Sequence, residues 1–224
     1  MHYSYFIILA FTLSYPLFKS FEDKIQFYKK WNSLFPAIII SAILFIAWDI
    51  WFTKIGVWSF NPEYLTGFFL LVLPIEEWLF FFITPFSCVF IHEVMIYFVK
   101  KDIFANSVKY INTILALGLI TTALINHTKI YTLLDFSLLG CFLLIHQYIF
   151  KSTYLGRFYL TWLVCMLPFL IVNGFLTYLP IVIYDNLYNL NIRIYCIPIE
   201  DLFYGMLNTL LVISIYEYLK QKIK

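Results

Sequence analysis

The chain alternates between long apolar stretches and short polar segments along its whole length. A helix needs about 20 mostly apolar residues to cross the roughly 30 Å hydrocarbon core of a bilayer. The pattern therefore predicts an all-α, polytopic membrane helix bundle with about seven transmembrane helices. Their predicted ranges are 3–18, 33–53, 74–99, 110–126, 131–150, 156–179 and 197–219. We interpret the first stretch, MHYSYFIILAFTLSY, as a span because it lacks the basic segment and small-residue cleavage site of a secretory signal.

The composition favours the same class of protein. Hydrophobic residues make up 62% of the 224 residues and charged residues 12%, whereas a soluble domain carries about 25% charged residues. The net charge is only +2, and the basic residues are spread over the segments between the apolar stretches. They form no basic patch, so we expect no nucleic-acid partner. The four cysteines form no C-x-x-C motif and are interpreted as small core residues.

The basic residues also predict the orientation of the chain in the membrane. Seven spans create two alternating sets of connecting segments, and cytoplasmic segments carry the excess of Lys and Arg. One set holds twelve of the fifteen basic residues, and the other holds only Lys54, Lys129 and Arg193. We therefore expect a multi-pass protein of the cell membrane with its N-terminus outside and its C-terminus in the cytoplasm.

Two segments of the chain carry the same pattern of charges. PIEEWLFFFITPFSCVFIHE (residues 74–93) and PIEDLFYGMLNTLLVISIYE (residues 198–217) are 124 residues apart, and five of their twenty positions are identical. Each contains three acids and no base, at the same three offsets. The same shift aligns Asp49 with Asn173, Asn61 with Asp185, and Tyr64 with Tyr188. We interpret this as a duplicated three-helix unit.

The shift maps spans one, two and three onto spans five, six and seven. Three helices in tandem would leave the second copy inverted, and the extra fourth span restores its orientation, so we expect parallel repeats about a pseudo-twofold axis. The predicted domains are a first repeat at 1–100, a linker helix at 101–127 and a second repeat at 128–224.

The candidate chemistry lies in the two acid pairs, Glu76/Glu77 and Glu200/Asp201. Ionised carboxylates cost several kcal/mol in lipid, so acids in apolar sequence face the bundle interior and are functional by default. Two adjacent carboxyls at low dielectric do not both ionise readily, so one is expected to keep its proton beside a carboxylate. General acid–base catalysis requires that arrangement.

A purely structural role is the alternative, because acids in a first helical turn interact favourably with the helix dipole and can cap backbone amides. Two copies at equivalent positions favour the catalytic interpretation. Residues 66–100 are too many for one straight crossing, so we expect Pro74 to separate a short interfacial or re-entrant piece from the helix and to occupy its first turn. Asp49 and Asp135 are expected at the same depth as the acid pairs.

The third acid of each segment is expected to have a different role. Glu93 and Glu217 follow Glu77 and Asp201 by 16 residues, which is about 24 Å along a helix. They should lie near the cytoplasmic ends of their helices. They should lie close to Lys100 and Lys101 or to Lys220 and Lys222, and we expect an interfacial pairing role for them rather than catalysis.

Aromatic residues cluster around the first acid pair, and ring faces can stabilise cations and pack along polyenes. An interfacial aromatic belt explains the tryptophans about as well. The four histidines show no metal-ligand spacing, and no G-x-G-x-x-G, G-x-S-x-G or Cys/His nucleophile arrangement is present. We therefore expect neither a metal nor a cofactor.

At these residues the sequence resembles the membrane-integral lycopene cyclases of bacteria, archaea and fungi, which occur as heterodimers or as fused chains. The first copy carries WDIWFTKIGVWSFNPEYLTG, LPIEEWLFFFITP and HE. The second copy carries NGFLTYLPIVIYDN, IPIEDLFYG and YE. Each half resembles one subunit of the heterodimeric form, so the chain resembles the fused form over nearly its whole length.

The resemblance implies a lycopene β-cyclase that needs no cofactor, acts on a carotenoid within the bilayer and could associate with other enzymes of carotenoid synthesis. A general acid protonates carbon 2 of the acyclic end, the alkene at carbons 5 and 6 attacks the cation at carbon 1, and a base removes the proton from carbon 6. The motif carries over to Glu76, Glu77, Glu200 and Asp201 as acids or bases, with Asp49 as a secondary candidate. The candidate substrate contacts are Trp48, Tyr64, Trp78, Phe81, Asn173 and Tyr188. The identity of the proton donor and the number of sites, one or two, stay open.

Three other classes of membrane protein share some of these features. A proton- or ion-coupled transporter would also use intramembrane acids, but such helices tend to break near the midplane, whereas Pro74 and Pro198 lie at helix starts. A retinal receptor needs a lysine in its last span, and residues 198–219 contain none. A cyclase or hydratase acting on an extended carotenoid stays open.

Overall fold

The computed structural model describes residues 2–222, which contain seven α-helices. Their bounds are α1 Ser4–Lys19, α2 Trp31–Ile55, α3 Ile75–Phe98, α4 Val108–Ile125, α5 Ile130–Leu144, α6 Leu155–Tyr178 and α7 Ile199–Lys222. A π-helical segment, Ile145–Ile149, extends α5, and short 3₁₀ turns occupy Phe27–Lys30 and Pro62–Tyr64. All but α1 are long and apolar enough to cross a membrane, counting α2 and α5 with their extensions. The predicted helical membrane bundle is confirmed.

Six short strands form three two-stranded sheets in the connections that follow the second helix of each repeat. They are β1 Trp58–Phe60, β2 Phe69–Leu70, β3 Leu73–Pro74, β4 Val182–Tyr184, β5 Arg193–Ile194 and β6 Ile197–Pro198. The interfacial piece expected before α3 is therefore the hairpin β2–β3. Leu71 and Tyr195 occupy its turn and that of β5–β6, both with left-handed backbone (φ 59° and 57°).

Pro74 lies just before α3, and its expected place in the first turn is wrong. The residue pairs with Phe69 in the hairpin, so its backbone is extended (ψ 150°) and helical geometry begins only at Ile75. Helix α2 ends at Ile55. The next residue, Gly56, has the left-handed conformation (φ 84°) that commonly terminates a helix.

The pairing of β1 with β4 reveals the symmetry of the molecule. In this antiparallel pair Ser59 lies opposite Ile183, which is its own counterpart at the shift of 124. The flanking backbone bonds are reciprocal, because Asn61 N–H donates to Ile181 and its counterpart Asp185 donates to Val57. A local twofold axis therefore passes through the Ser59–Ile183 pair and relates the two repeats, as the duplication predicts.

The helices pack across this axis. The second helix of each repeat lies against the third helix of the other, α2 on α7 and α6 on α3, while α1 packs on α3 and α5 on α7. A hydrogen bond of 2.8 Å from Ser41 to Asn208 joins α2 to α7. The unduplicated helix α4 packs on α5, where Gly140 allows the close approach: a Cβ there would lie 2.7 Å from Ile120.

The third acid of each repeat forms ion pairs, as expected, and those of Glu93 do not include Lys100 or Lys101. Glu93 contacts Lys30 and Lys220 and accepts a hydrogen bond of 2.7 Å from Tyr216. Lys100 instead lies over the Tyr97 ring. The packing of α3 beside α7 explains the difference, because it brings Lys220 of the second repeat to Glu93 of the first. Glu217 contacts Lys220, as predicted, at 3.2 Å.

Candidate active site

A cavity of about 560 Å³ lies between α1, α3, α6 and α7. Its lining runs along α3 from Glu77 to Ile91, which is about 21 Å of helix. The lining is predominantly aromatic and aliphatic, with carboxyls from Asp49, Glu77 and Asp201. Small-molecule sites usually have volumes of roughly 300–1,000 Å³. The arrangement is an elongated apolar cavity with its acids at one end.

The wall between α1 and α6 faces outward. Phe11 and Tyr15 of α1 line the cavity and are 74% and 65% exposed, respectively. Ile171 of α6 also lines it and is 47% exposed. In a membrane this side borders lipid, so an apolar ligand dissolved in the bilayer has a lateral route into the cavity.

The structure separates the two members of each acid pair. Neighbouring residues on a helix point about 100° apart, so Glu77 and Asp201 line the cavity whereas Glu76 and Glu200 do not. Glu76 accepts a hydrogen bond of 2.7 Å from Thr66 N–H. Glu200 accepts the equivalent bond, 2.8 Å from Leu190 N–H. These two buried carboxyls hold the loops that precede the hairpins.

The first repeat contributes two carboxyls to the cavity, each with one donor from a neighbouring side chain. Tyr5 donates to Glu77 Oε2 at 2.6 Å. Trp58 donates from its indole nitrogen to Asp49 Oδ1. The other oxygen of Asp49 is buried and has no partner among the described residues.

The second repeat contributes one carboxyl, and both of its oxygens accept hydrogen bonds. Tyr131 donates to Asp201 Oδ1 at 2.8 Å, and Tyr184 donates to Oδ2 at 2.7 Å. Burial raises the pKa of the Tyr184 phenol, and the neighbouring Asp201 carboxylate raises it further. Tyr184 is therefore a neutral hydrogen-bond donor throughout the physiological pH range.

Aromatic rings surround the carboxyl end of the cavity. Trp58 meets Tyr131, Tyr184 and Tyr204 edge to face, with ring centroids 5.3, 6.0 and 6.1 Å apart. All four rings line the cavity. Their π faces attract cations, most strongly where water is excluded. The site can therefore stabilise a carbocation beside a group of carboxyls.

The predicted substrate contacts divide between the cavity and its surroundings. Phe81 and Asn173 line the cavity, whereas the others lie outside its lining. Trp78 donates to Leu70 O at 3.2 Å. Trp48 packs among the rings of Phe45, Phe52 and Tyr204. Tyr64 and Tyr188 pack at two smaller hydrophobic clusters.

Four tyrosines of the site escaped the sequence analysis: Tyr5, Tyr131, Tyr184 and Tyr204. The shift of 124 aligns Tyr131 with Ile7, two residues from Tyr5, so the matching donors were not recognised as a repeated feature. A separate alignment of the first helices, at a shift of 126, would have found that pair. Tyr184 and Tyr204 align with Phe60 and Phe80, and no sequence signal distinguishes them from ordinary core aromatics.

Asp135 is fully buried, but it does not line the cavity. It lies one turn after Tyr131, and neither of its carboxyl oxygens has a hydrogen-bond partner within residues 2–222. In the same range, no group of three or more His, Cys, Asp or Glu side chains is arranged to hold a metal ion.

Comparisons with known proteins identify both repeats. A family model described as Lycopene cyclase matches residues 2–95 and again residues 128–219. Comparison with curated proteins and comparison with solved structures give no match. The two matched ranges leave out the segment that contains α4.

Proposed function

The chain belongs to the lycopene cyclase family, and from this premise we propose that it is a lycopene β-cyclase that converts lycopene through γ-carotene to β-carotene. The family match supports a carotenoid cyclase embedded in a membrane by several apolar helices. The observation that carries the finer proposal is the group of three carboxyls, Asp49, Glu77 and Asp201, at one end of an apolar cavity.

The reaction we propose is an intramolecular lyase reaction, an isomerisation without net redox change. Protonation of carbon 2 converts the terminal alkene into a tertiary cation at carbon 1. The electron pair of the alkene at carbons 5 and 6 then forms the bond between carbons 1 and 6 and leaves the cation at carbon 5. Loss of the proton from carbon 6 creates the double bond between carbons 5 and 6 of a β-ionone ring. One proton enters and one leaves, so the atoms balance.

We assign the acid to Glu77 and the base to Asp201. Hydrogen bonds donated to a carboxyl favour its ionised form, and Asp201 receives one on each oxygen. Glu77 receives one side-chain hydrogen bond, from Tyr5, and is better suited to keep its proton until the substrate binds. Positioned acids and bases of this kind contribute about 10²–10⁴-fold each to a rate.

The remaining groups at the carboxyl end of the cavity stabilise the cation. The starting protonation states of Glu77 and Asp201 must also be restored after each turnover. The rings of Trp58, Tyr131 and Tyr204 stabilise the positive charge at carbons 1 and 5. Asp49 adds a third carboxyl beside Glu77. Each turnover leaves the proton on Asp201 and the charge on Glu77, and the proton must return before the next cycle. Glu76 and Glu200 are positioning residues in this proposal, because they hold the loops beside the site.

The setting of the enzyme follows from the same proposal. Lycopene enters from the bilayer between α1 and α6, and other enzymes of carotenoid synthesis are the proposed neighbours that supply it. The distribution of basic residues supports a cell-membrane protein with its N-terminus outside and its C-terminus in the cytoplasm. The proposed domains are a repeat at 1–100, a linker helix at 101–127 and a repeat at 128–224.

Expression in lycopene-accumulating cells, followed by chromatography of the pigments, tests this function. We expect γ-carotene and β-carotene to replace lycopene. Lycopene that persists without any cyclic product would contradict the proposal, and ring formation only on longer carotenoids would change its substrate. A cytoplasmic signal from a reporter fused to the N-terminus would contradict the orientation.

A further inference from the structure

The twofold relation between the repeats raises the question of a second cavity. A symmetric molecule would place a matching cavity between α5, α7, α2 and α3. The α6 wall of the described cavity includes Phe169, Val172 and Leu176, which lie on the helix beside the carboxyl end. Their counterparts on α2, at the shift of 124, are Phe45, Trp48 and Phe52.

Two of these three positions differ in size, and the larger residues fill the symmetry-related space. Trp48 packs at ring-centroid distances of 5.8 Å from Phe45, 5.5 Å from Phe52 and 5.3 Å from Tyr204. Phe52 has no exposed surface. On α6 the same positions hold Val172 and Leu176, whose smaller side chains leave open space beside them. The repeats therefore differ by a packed aromatic cluster on one side and a cavity on the other.

The polar side chains of the site also differ between the two repeats. The counterpart of Asp49 is Asn173, and the counterpart of Tyr184 is Phe60. Asp49, Glu77 and Asp201 all line the same cavity, although they come from both repeats. A further apolar groove, between α4, α6 and α7, has no carboxyl among its lining residues.

The carboxyls lie at one end of the cavity only. Along α3 the lining continues from Glu77 past Cys88 to Ile91, and the acids beyond it, Glu93 and Glu217, do not line it. A linear polyene that presents one end to the carboxyls therefore places its remainder against apolar side chains or in the lipid.

We infer that the two repeats form a single catalytic cavity, opened by Val172 and Leu176 and filled at its symmetry mate by Trp48 and Phe52, so that one ring forms in each binding event. A polyene enclosed by α1, α3, α6 and α7 cannot turn end over end inside the cavity. The monocyclic product must leave into the bilayer and re-enter by its other end before the second ring forms. This inference rests on the proposed function.

Filling the cavity tests the single site. We expect Val172→Trp to slow formation of both the first and the second ring at least a hundredfold. Leu167→Trp is the matched control, because Leu167 is on the same helix, is 69% exposed and does not line the cavity. Val172→Leu and Leu176→Phe give smaller increases in volume, and their rates should fall in order of added bulk. Formation of the first ring at the wild-type rate by folded Val172→Trp would show a second site and overturn the inference.

Release between the two rings is tested with the wild-type enzyme in liposomes that contain lycopene. We expect free monocyclic product to accumulate before the bicyclic product. Fresh lycopene, added when the monocyclic product peaks, should delay the second ring by competition. Bicyclic product that forms from the start and is unaffected by added lycopene would overturn the inference. A wild-type enzyme that forms no ring at all would instead overturn the proposed function.

Discussion

At the scale of single residues, hydrogen bonds distinguish the three carboxyls of the cavity. Asp201 accepts from two tyrosines, whereas Glu77 and Asp49 accept one side-chain bond each. Both repeats supply a first-helix tyrosine to the cavity acid, Tyr5 or Tyr131. The second donor to Asp201 is present in one repeat only, because Tyr184 corresponds to Phe60.

The assignment of the base predicts a change of product for Asp201→Asn. Protonation and ring closure remain possible in this variant, but no carboxylate is placed to take the proton from carbon 6. The Glu77 carboxylate that protonation leaves behind, or Asp49 beside it, should then take a proton from carbon 4 or from the methyl group on carbon 5, which gives ring isomers other than β. Chromatography and nuclear magnetic resonance of the products check this. A slower enzyme that still forms only β rings would contradict the role of Asp201.

Removal of one donor to Asp201 predicts a graded loss of rate. A hydrogen bond to a charged group is worth about 1.5–3 kcal/mol, and the bond from Tyr184 favours the ionised form of Asp201. Tyr184→Phe should therefore lower the fraction of enzyme with an ionised base and slow cyclisation, by about a hundredfold at most. The variant copies the residue that the first repeat already has, and its fold should be unchanged. Tyr195→Phe is the control, since Tyr195 is exposed and lies outside the cavity. Equal rates for the two variants would remove Tyr184 from the site.

At the scale of elements, the short connections before α3 and α7 keep the carboxyls in place. Thr66 N–H to Glu76 and Leu190 N–H to Glu200 are the same contact at the shift of 124. Both hairpins that follow also share the left-handed turn residue, Leu71 or Tyr195. A proline–acid–acid motif thus combines a carboxyl that holds the loop with a carboxyl that faces the cavity.

This division predicts that Glu76 matters for stability. Glu76→Ala leaves the Thr66 amide without its acceptor, and an unsatisfied buried group costs about 1–3 kcal/mol. Glu76→Gln retains an acceptor oxygen and should unfold near the wild-type temperature. Thermal unfolding in detergent compares the three proteins. If the alanine variant is as stable as the wild type, the loop does not depend on this bond.

Much of the fold and part of the site could be predicted from sequence. Apolar length gave the helices, and the shift of 124 gave the repeat, because both are written in local composition. The partition of Glu76 from Glu77 could not be read, since it depends on the rotation of α3 against α6 and α7. Tyr184 and Tyr204 could not be recognised from sequence, because tertiary contacts place them in the cavity lining. The pairing of β1 with β4 positions Tyr184, and the packing of α2 on α7 positions Tyr204.

At the scale of the whole molecule, the repeats are joined at both ends. Strands β1 and β4 pair at the end of the molecule where the carboxyls of the cavity lie. At the opposite end His92 lies 3.5 Å from Glu217, and Tyr216, the counterpart of His92, donates to Glu93. Glu93 also contacts Lys30 and Lys220. This ion cluster, with Glu93 buried at its centre and partly exposed lysines around it, joins the two halves at the end opposite the carboxyls of the cavity.

The cluster predicts a large effect of Glu93→Ala on stability and a small one on chemistry. Glu93→Ala leaves Lys30 and the buried Tyr216 hydroxyl without their acceptor, and leaves Lys220 with Glu217 alone. Because both lysines are partly exposed, the main loss is the unsatisfied hydrogen bonding, which costs about 1–3 kcal/mol. Glu22→Ala removes an exposed pair with Lys19 and should change the unfolding free energy by about 0–1 kcal/mol. Denaturation in detergent measures both. Equal losses for the two variants would show that the cluster does not join the repeats.

In the proposed mechanism one carboxyl of each acid pair acts on the substrate, and a comparison of Glu77→Gln with Glu76→Gln separates the two members of the first pair. Both variants change a buried acid to its amide at adjacent positions. The measurement is the rate of ring formation from lycopene in liposomes, at a temperature where both proteins are folded. We predict that Glu77→Gln is at least about a hundredfold slower than the wild type, whereas Glu76→Gln retains most of the wild-type rate. Full activity of Glu77→Gln, or loss confined to Glu76→Gln, would contradict the account.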